Sequence, residues 1–89
     1  MERNDALLYG QLYKLEKKIG RKFYSGDVVN AGILPRAKSQ AKLSELTEAG
    51  YLTEEVIRGA NVYGVNNKGL FHMNAYRDLR IESGVSITA

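Results

Sequence analysis

Gly32-Ile33-Leu34-Pro35-Arg36-Ala37-Lys38-Ser39-Gln40-Ala41-Lys42-Leu43-Ser44-Glu45-Leu46-Thr47-Glu48-Ala49-Gly50 is the stretch that decides how this chain folds. Gly32 suits the left-handed backbone position that ends a helix. Ile33 and Leu34 make a tight apolar turn. Pro35 is expected to open the next helix, where its missing N–H costs nothing. That helix is predicted over 35–49 and stops at Gly50. Leu43 and Leu46 form its apolar face, with Ser39 and Gly50 on the same side and Ala49 nearby. Before the turn, Ser25 can cap a short helix with Asp27 in its first turn, and Val28, Val29 and Ala31 supply its apolar contacts. A short helix, a short turn and a longer helix make helix-turn-helix spacing.

Outward from this core, residues 4–19 read as a helix. Asn4 is a good N-cap and Asp5 sits favourably in the first turn. Leu8, Leu12, Leu15 and Ile19 recur at helical spacing, with Leu7 and Tyr9 flanking them, and Gly20 is the expected stop. In the connector at 21–24, Phe23 and Tyr24 either pack inward or form a minimal strand. After Gly50 the period changes to two. Residues 51–57 suit a strand, 58–61 a turn with Gly59 free for a positive φ, and 62–65 a return strand ended by Asn66-Asn67-Lys68-Gly69. Leu70, Phe71, Met73, Tyr76 and Leu79 then suggest a fourth helix over 70–81. The expected fold is α+β: a winged helix-turn-helix with a three-helix core, a two-stranded β-hairpin wing at 52–65 and a C-terminal helix. One domain at 1–82 and a flexible tail at 83–89 complete it.

Composition narrows the function. With 89 residues, a small core is all the chain can build, and pairing with a second copy would add buried area. There is no cysteine, which removes disulfides, thiolate zinc sites and cysteine nucleophiles. The single histidine, His72, cannot build a metal site alone. No glycine-rich phosphate loop, nucleophile elbow or paired-histidine zinc motif occurs, and Glu54 and Glu55 alternate faces on a strand, so neither an enzyme nor a cofactor is expected. No apolar run approaches the roughly 20 residues that span a bilayer. The charged start at 1–5 is no signal peptide. A cytoplasmic protein without membrane contact is expected.

Net charge is +3, but its distribution says more. From Lys14 to Lys42 eight bases face two acids, a net +6, whereas residues 43–57 carry four acids and no base. Such a dipolar chain suits a polyanion on one side. The 35–49 helix is charged backwards: Arg36, Lys38 and Lys42 lie in its N-terminal half, Glu45 and Glu48 in its C-terminal half. The helix dipole prefers the opposite order. Phosphates near the N-terminus would reward the reversal. With Leu43 and Leu46 inward, Ala37, Gln40, Ala41 and Ser44 point outward, flanked by Arg36 and Lys38. Small residues let a helix come close to base edges. Gln40 could read an adenine, Arg36 or Lys38 a guanine, and Ala37 or Ala41 a thymine methyl. Arg21 and Lys22, at the end of the first helix, would extend the phosphate footprint.

The run from Pro35 to Leu52, with its Leu43, Leu46, Gly50-Tyr51-Leu52 spacing, resembles the recognition helix and exit of winged-helix regulators of the PadR and MarR kind. Val62-Tyr63-Gly64-Val65-Asn66-Asn67-Lys68-Gly69 is similar to their last wing strand and the turn after it. Those families carry longer dimerisation helices; small phage, plasmid and archaeal-virus regulators are closer in size. The resemblance, covering residues 8–69, implies a transcription regulator, a repressor among them, that places the 35–49 helix in the major groove of double-stranded DNA. It implies wing contacts from Arg58 with Asn61. A homodimer through 70–81 would suit a palindromic site. Two other readings stay open: a winged-helix protein–protein interaction module without DNA readout, and RNA binding, for which no aromatic stacking sheet is evident.

Overall fold

A computed structural model describes residues 2–75 of the chain. The element order is α1 (Arg3–Ile19), β1 (Phe23–Tyr24), α2 (Ser25–Asn30), α3 (Arg36–Glu48), β2 (Leu52–Ile57), β3 (Ala60–Val65) and α4 (Asn67–Asn74). The protein is α+β, with four helices and an antiparallel sheet of order β1-β3-β2 among the described residues. This order is compatible with a winged-helix layout.

Glycines punctuate the chain where the sequence required positive φ. Gly32 (φ 73°) and Gly50 (φ 85°) follow α2 and α3. Each sits in a double hydrogen-bonded stop. Ile33 N–H donates to Val28 C=O and Gly32 N–H to Val29 C=O; Tyr51 N–H donates to Leu46 C=O and Gly50 N–H to Thr47 C=O. These pairings satisfy the last carbonyls of each helix and turn the chain sharply. The hairpin turn is only Arg58-Gly59, both at positive φ (53° and 80°), which is the two-residue turn that matches strand twist. Ala60 and Asn61 belong to β3, where Ala60 faces Ile57 and Asn61 faces Val56. The expected four-residue turn is thus shorter, because two residues at positive φ suffice to reverse the strand.

Helix starts differ from expectation. Glu2, not Asn4, precedes α1, and no side chain caps it. Tyr24, not Ser25, stands at the N-cap of α2, and its N–H donates to Asp27 Oδ2 at 2.8 Å. Pro35 is the N-cap of α3 with extended ψ (151°), one residue before the first helical position. At α4 the difference is larger. Asn67-Lys68-Gly69 forms its first turn rather than a loop, because the Asn66 side chain accepts from Gly69 N–H at 2.9 Å. The sequence placed the helix at 70–81; residues 76–81 and the tail at 83–89 lie outside the described residues.

Among the described residues the sheet has three strands: Phe23 and Tyr24, expected to pack inward or form a minimal strand, form β1 beside the two-stranded hairpin. Phe23 pairs with Tyr63 and Tyr24 with Val62, so β3 is central. Beyond those two residues, Val65 N–H donates instead to Glu16 Oε1 of α1 at 3.0 Å. A side chain therefore completes the ladder where β1 is too short to do so. The core contains Ala6, Tyr9, Leu12 and Leu15 of α1, Phe23, Val28, Leu43, Leu46, Leu52, Tyr63 and Met73. The α1 stripe is rotated from the expected Leu8–Ile19 line: Tyr9 is fully buried and Leu8 only half-buried. The cause is a polar anchor. The Tyr9 hydroxyl donates to Tyr51 C=O at 2.8 Å and accepts from Asn66 N–H at 2.9 Å, joining α1 to both ends of the hairpin. Burial pushes this phenol up to about 12. Gly69 makes the seat: a Cβ there would overlap the Tyr9 ring and lie 2.7 Å from Tyr51 C=O.

Candidate nucleic-acid interface

α3 buries Ser39, Leu43 and Leu46 and exposes Arg36, Ala37, Lys38, Gln40 and Ala41, with Ser44 half-buried. Helical spacing of about 100° per residue puts Ala37, Ala41 and Ser44 along one outward ridge. Arg36 and Gln40 fall on one flank of it. Lys38 falls on the other, at the rim of a groove shared with Leu7, Leu8, Ile33 and Leu34. No side chain caps the helix and no acid lies in its first turn. Its N-terminal amides and two bases therefore present only positive potential.

The bases divide into two groups. Lys42 is held by Asp5 of α1 at 2.7 Å and by Glu45 at 3.3 Å, which raises its pKa, the Asp5 contact first. Arg21 pairs with Asp27 at 3.0 Å, donates to Lys22 C=O and lies over the Tyr24 ring. The hydrogen bond to Arg21 holds the Asp27 carboxyl below its ordinary value. Lys22 pairs with Glu55 of β2 at 2.5 Å, and Lys68 donates to Ala49 C=O at 2.9 Å. Arg36, Lys38 and Arg58, in contrast, have no ion pair or hydrogen bond from their side chains to the described residues. Of the ten residues expected at an interface, the structure thus gathers Arg36, Ala37, Lys38, Gln40, Ala41 and Ser44 on α3. Arg58 sits at the exposed hairpin tip and Asn61 on β3 below it, while Arg21 and Lys22 are bound into intramolecular pairs.

Tyr63 is the residue that sequence reading missed. Its ring is buried and stacks on Phe23, with centroids 6.4 Å apart. Its hydroxyl reaches α3, where Gln40 Nε2 donates to it at 2.9 Å. Burial, then a hydrogen bond to the Glu54 carboxylate, raises the phenol's pKa, while hydrogen bonds from Ser44 and Asn61 act the other way. The available signal was the period of two, which puts Asn61, Tyr63 and Val65 on one face of β3. Nothing in the local sequence shows that the Gln40 side chain of α3 reaches the Tyr63 hydroxyl.

Among the described residues, no group of three or more His, Asp or Glu is placed to hold a metal ion. No helix among them is long and apolar enough to cross a membrane. No protein-family model, no curated protein and no solved structure matches the chain.

Proposed function

We propose that this chain is a winged-helix domain that binds double-stranded DNA and regulates transcription. In this reading α3 enters the major groove and the β2–β3 hairpin is the wing. The observation that carries the proposal is the exposed ridge of Ala37, Ala41 and Ser44, flanked by Arg36 and Lys38. Among the described residues the flanking bases have no ion pair or hydrogen bond from their side chains, while Lys42, Arg21 and Lys22 do. A protein surface normally pairs or disperses its charges, and a helix dipole disfavours bases at this end. A phosphate backbone removes both costs. The ridge's short side chains give the close approach that base reading needs. Arg58 supports a wing contact: an arginine at φ 53° occupies a position that Asn or Gly fills with less strain, yet it carries a base to the hairpin tip.

The test is duplex affinity against salt concentration. Binding to random duplex at low salt that falls steeply as salt rises is the expected result. Undetectable binding, or affinity independent of salt, rejects the proposal. Phe71, 76% exposed on α4 beside half-buried Leu70, supports a homodimer paired through this helix. Sedimentation should then show a dimer that Phe71→Ser dissociates; a monomer at high concentration rejects the pairing. The same exposed ring favours the protein-interaction module as the second reading.

A further inference from the structure

We propose that Tyr63 is a specificity-determining positioning residue, holding the Gln40 amide so that α3 selects an adenine. The proposal rests on the DNA-binding reading and deepens it. Tyr63 is 0% exposed, so its ring cannot change rotamer without opening the core. Gln40 is exposed, and its Nε2 donates to the Tyr63 hydroxyl at 2.9 Å. Glu54 stands directly opposite Tyr63 on β2. An amide nitrogen only donates, so the Tyr63 oxygen accepts from Gln40 and the phenol proton is left for an acceptor such as the Glu54 carboxylate. That order fixes the amide: nitrogen toward the sheet, carbonyl away from it. One N–H and the carbonyl oxygen remain for a base edge. In the major groove adenine offers the N6 donor beside the N7 acceptor, which matches both. Guanine offers two acceptors, thymine an acceptor and a methyl, and cytosine a donor alone. An amide already held by a buried group loses less rotamer freedom on binding than a free glutamine side chain.

The experiment selects bound sites from randomised duplexes with wild type, Tyr63→Phe, Gln40→Ala and the double variant, each checked for a cooperative melt. Affinity for an unrelated duplex is measured across salt in parallel. Wild type should favour adenine at one position by about 5- to 150-fold. Tyr63→Phe, which keeps the ring, should lower that preference by about 2- to 10-fold at that position alone. Affinity for the unrelated duplex and its salt slope should not move, and the double variant should match Gln40→Ala. Glu54→Ala, at an exposed site, should weaken the same preference without touching the core. It serves as the reporter if Tyr63→Phe fails to melt cooperatively. A position that prefers another base, an adenine preference that survives Gln40→Ala or the Tyr63 and Glu54 changes, or an equal loss on every sequence overturns the proposal. If wild type binds no duplex, the DNA reading falls with it. If wild type binds with normal salt dependence, those outcomes remove only the role of Tyr63.

Discussion

Replacing Arg36 and Lys38 together by alanine should move stability and DNA affinity in opposite directions. Both bases lie in the first turn of α3, where no acid and no side-chain cap offsets them. Neither has an ion pair or hydrogen bond from its side chain among the described residues, so their removal breaks none there. A base in the first turn opposes the helix dipole by about 0.3–1 kcal/mol, so the double variant should gain about 0.6–2 kcal/mol. For a domain this small each kcal/mol is worth roughly 4–8 °C, which gives a rise of roughly 2–16 °C. DNA affinity should fall. Each lost phosphate contact lowers the slope of log K against log salt by about 0.9, so two contacts at 0.1 M salt correspond to a loss of about 60-fold. Thermal melting by circular dichroism reads the first quantity, and fluorescence anisotropy of a labelled duplex over a salt series reads the second. A lower melting temperature would mean that the bases stabilise the fold. An unchanged affinity and slope would remove the N-terminus of α3 from the interface. Either result refutes the reasoning, because the two effects have one cause.

Three other perturbations test the surrounding frame. Tyr9→Phe should cost about 2–4 kcal/mol, since Tyr51 C=O and Asn66 N–H each lose a buried partner. The Tyr9 phenol is pushed up to about 12 from 10.0. Its contribution is therefore intact below pH 10 and lost as pH climbs toward 12, where the unfolded chain ionises first; Tyr9→Phe should flatten that alkaline decline in a melting series. Gly69→Ala should destabilise strongly, by about 3 kcal/mol or more, because the new methyl overlaps the Tyr9 ring rather than a flexible side-chain end; a melting temperature within a few degrees of wild type, roughly one kcal/mol, contradicts the packing described. Arg58→Asn relieves a positive φ at the hairpin tip and should raise stability by about 0.5–1 kcal/mol while reducing the DNA salt slope by about 0.9. No change in slope takes the wing tip off the phosphates.

Much of the architecture was legible because local rules write it into short windows. Gly32 and Gly50 mark helix ends, Gly59 marks the hairpin turn though not its two-residue length, and the leucines of α3 mark its inner face, so that Ala37 and Ala41 are outward by elimination. These features depend on φ, on a missing Cβ or on a period of 3.6, all of which act within a few residues. The sequence alone also determined that the α3 bases lie at the wrong end for the helix dipole. Which bases stay free was decided only by the tertiary structure. Lys42 meets Asp5 and Lys22 meets Glu55 across 37 and 33 positions, and long side chains choose partners by where helices and strands pack. The third strand, the Asn66 cap that starts α4 early and the Tyr9 seat over Gly69 are of the same kind. So is the Gln40–Tyr63 bond, between a helix and a strand 23 positions apart. The chain's local grammar thus set the exposed face of α3, and long-range packing decided which of its groups are held by neighbours among the described residues.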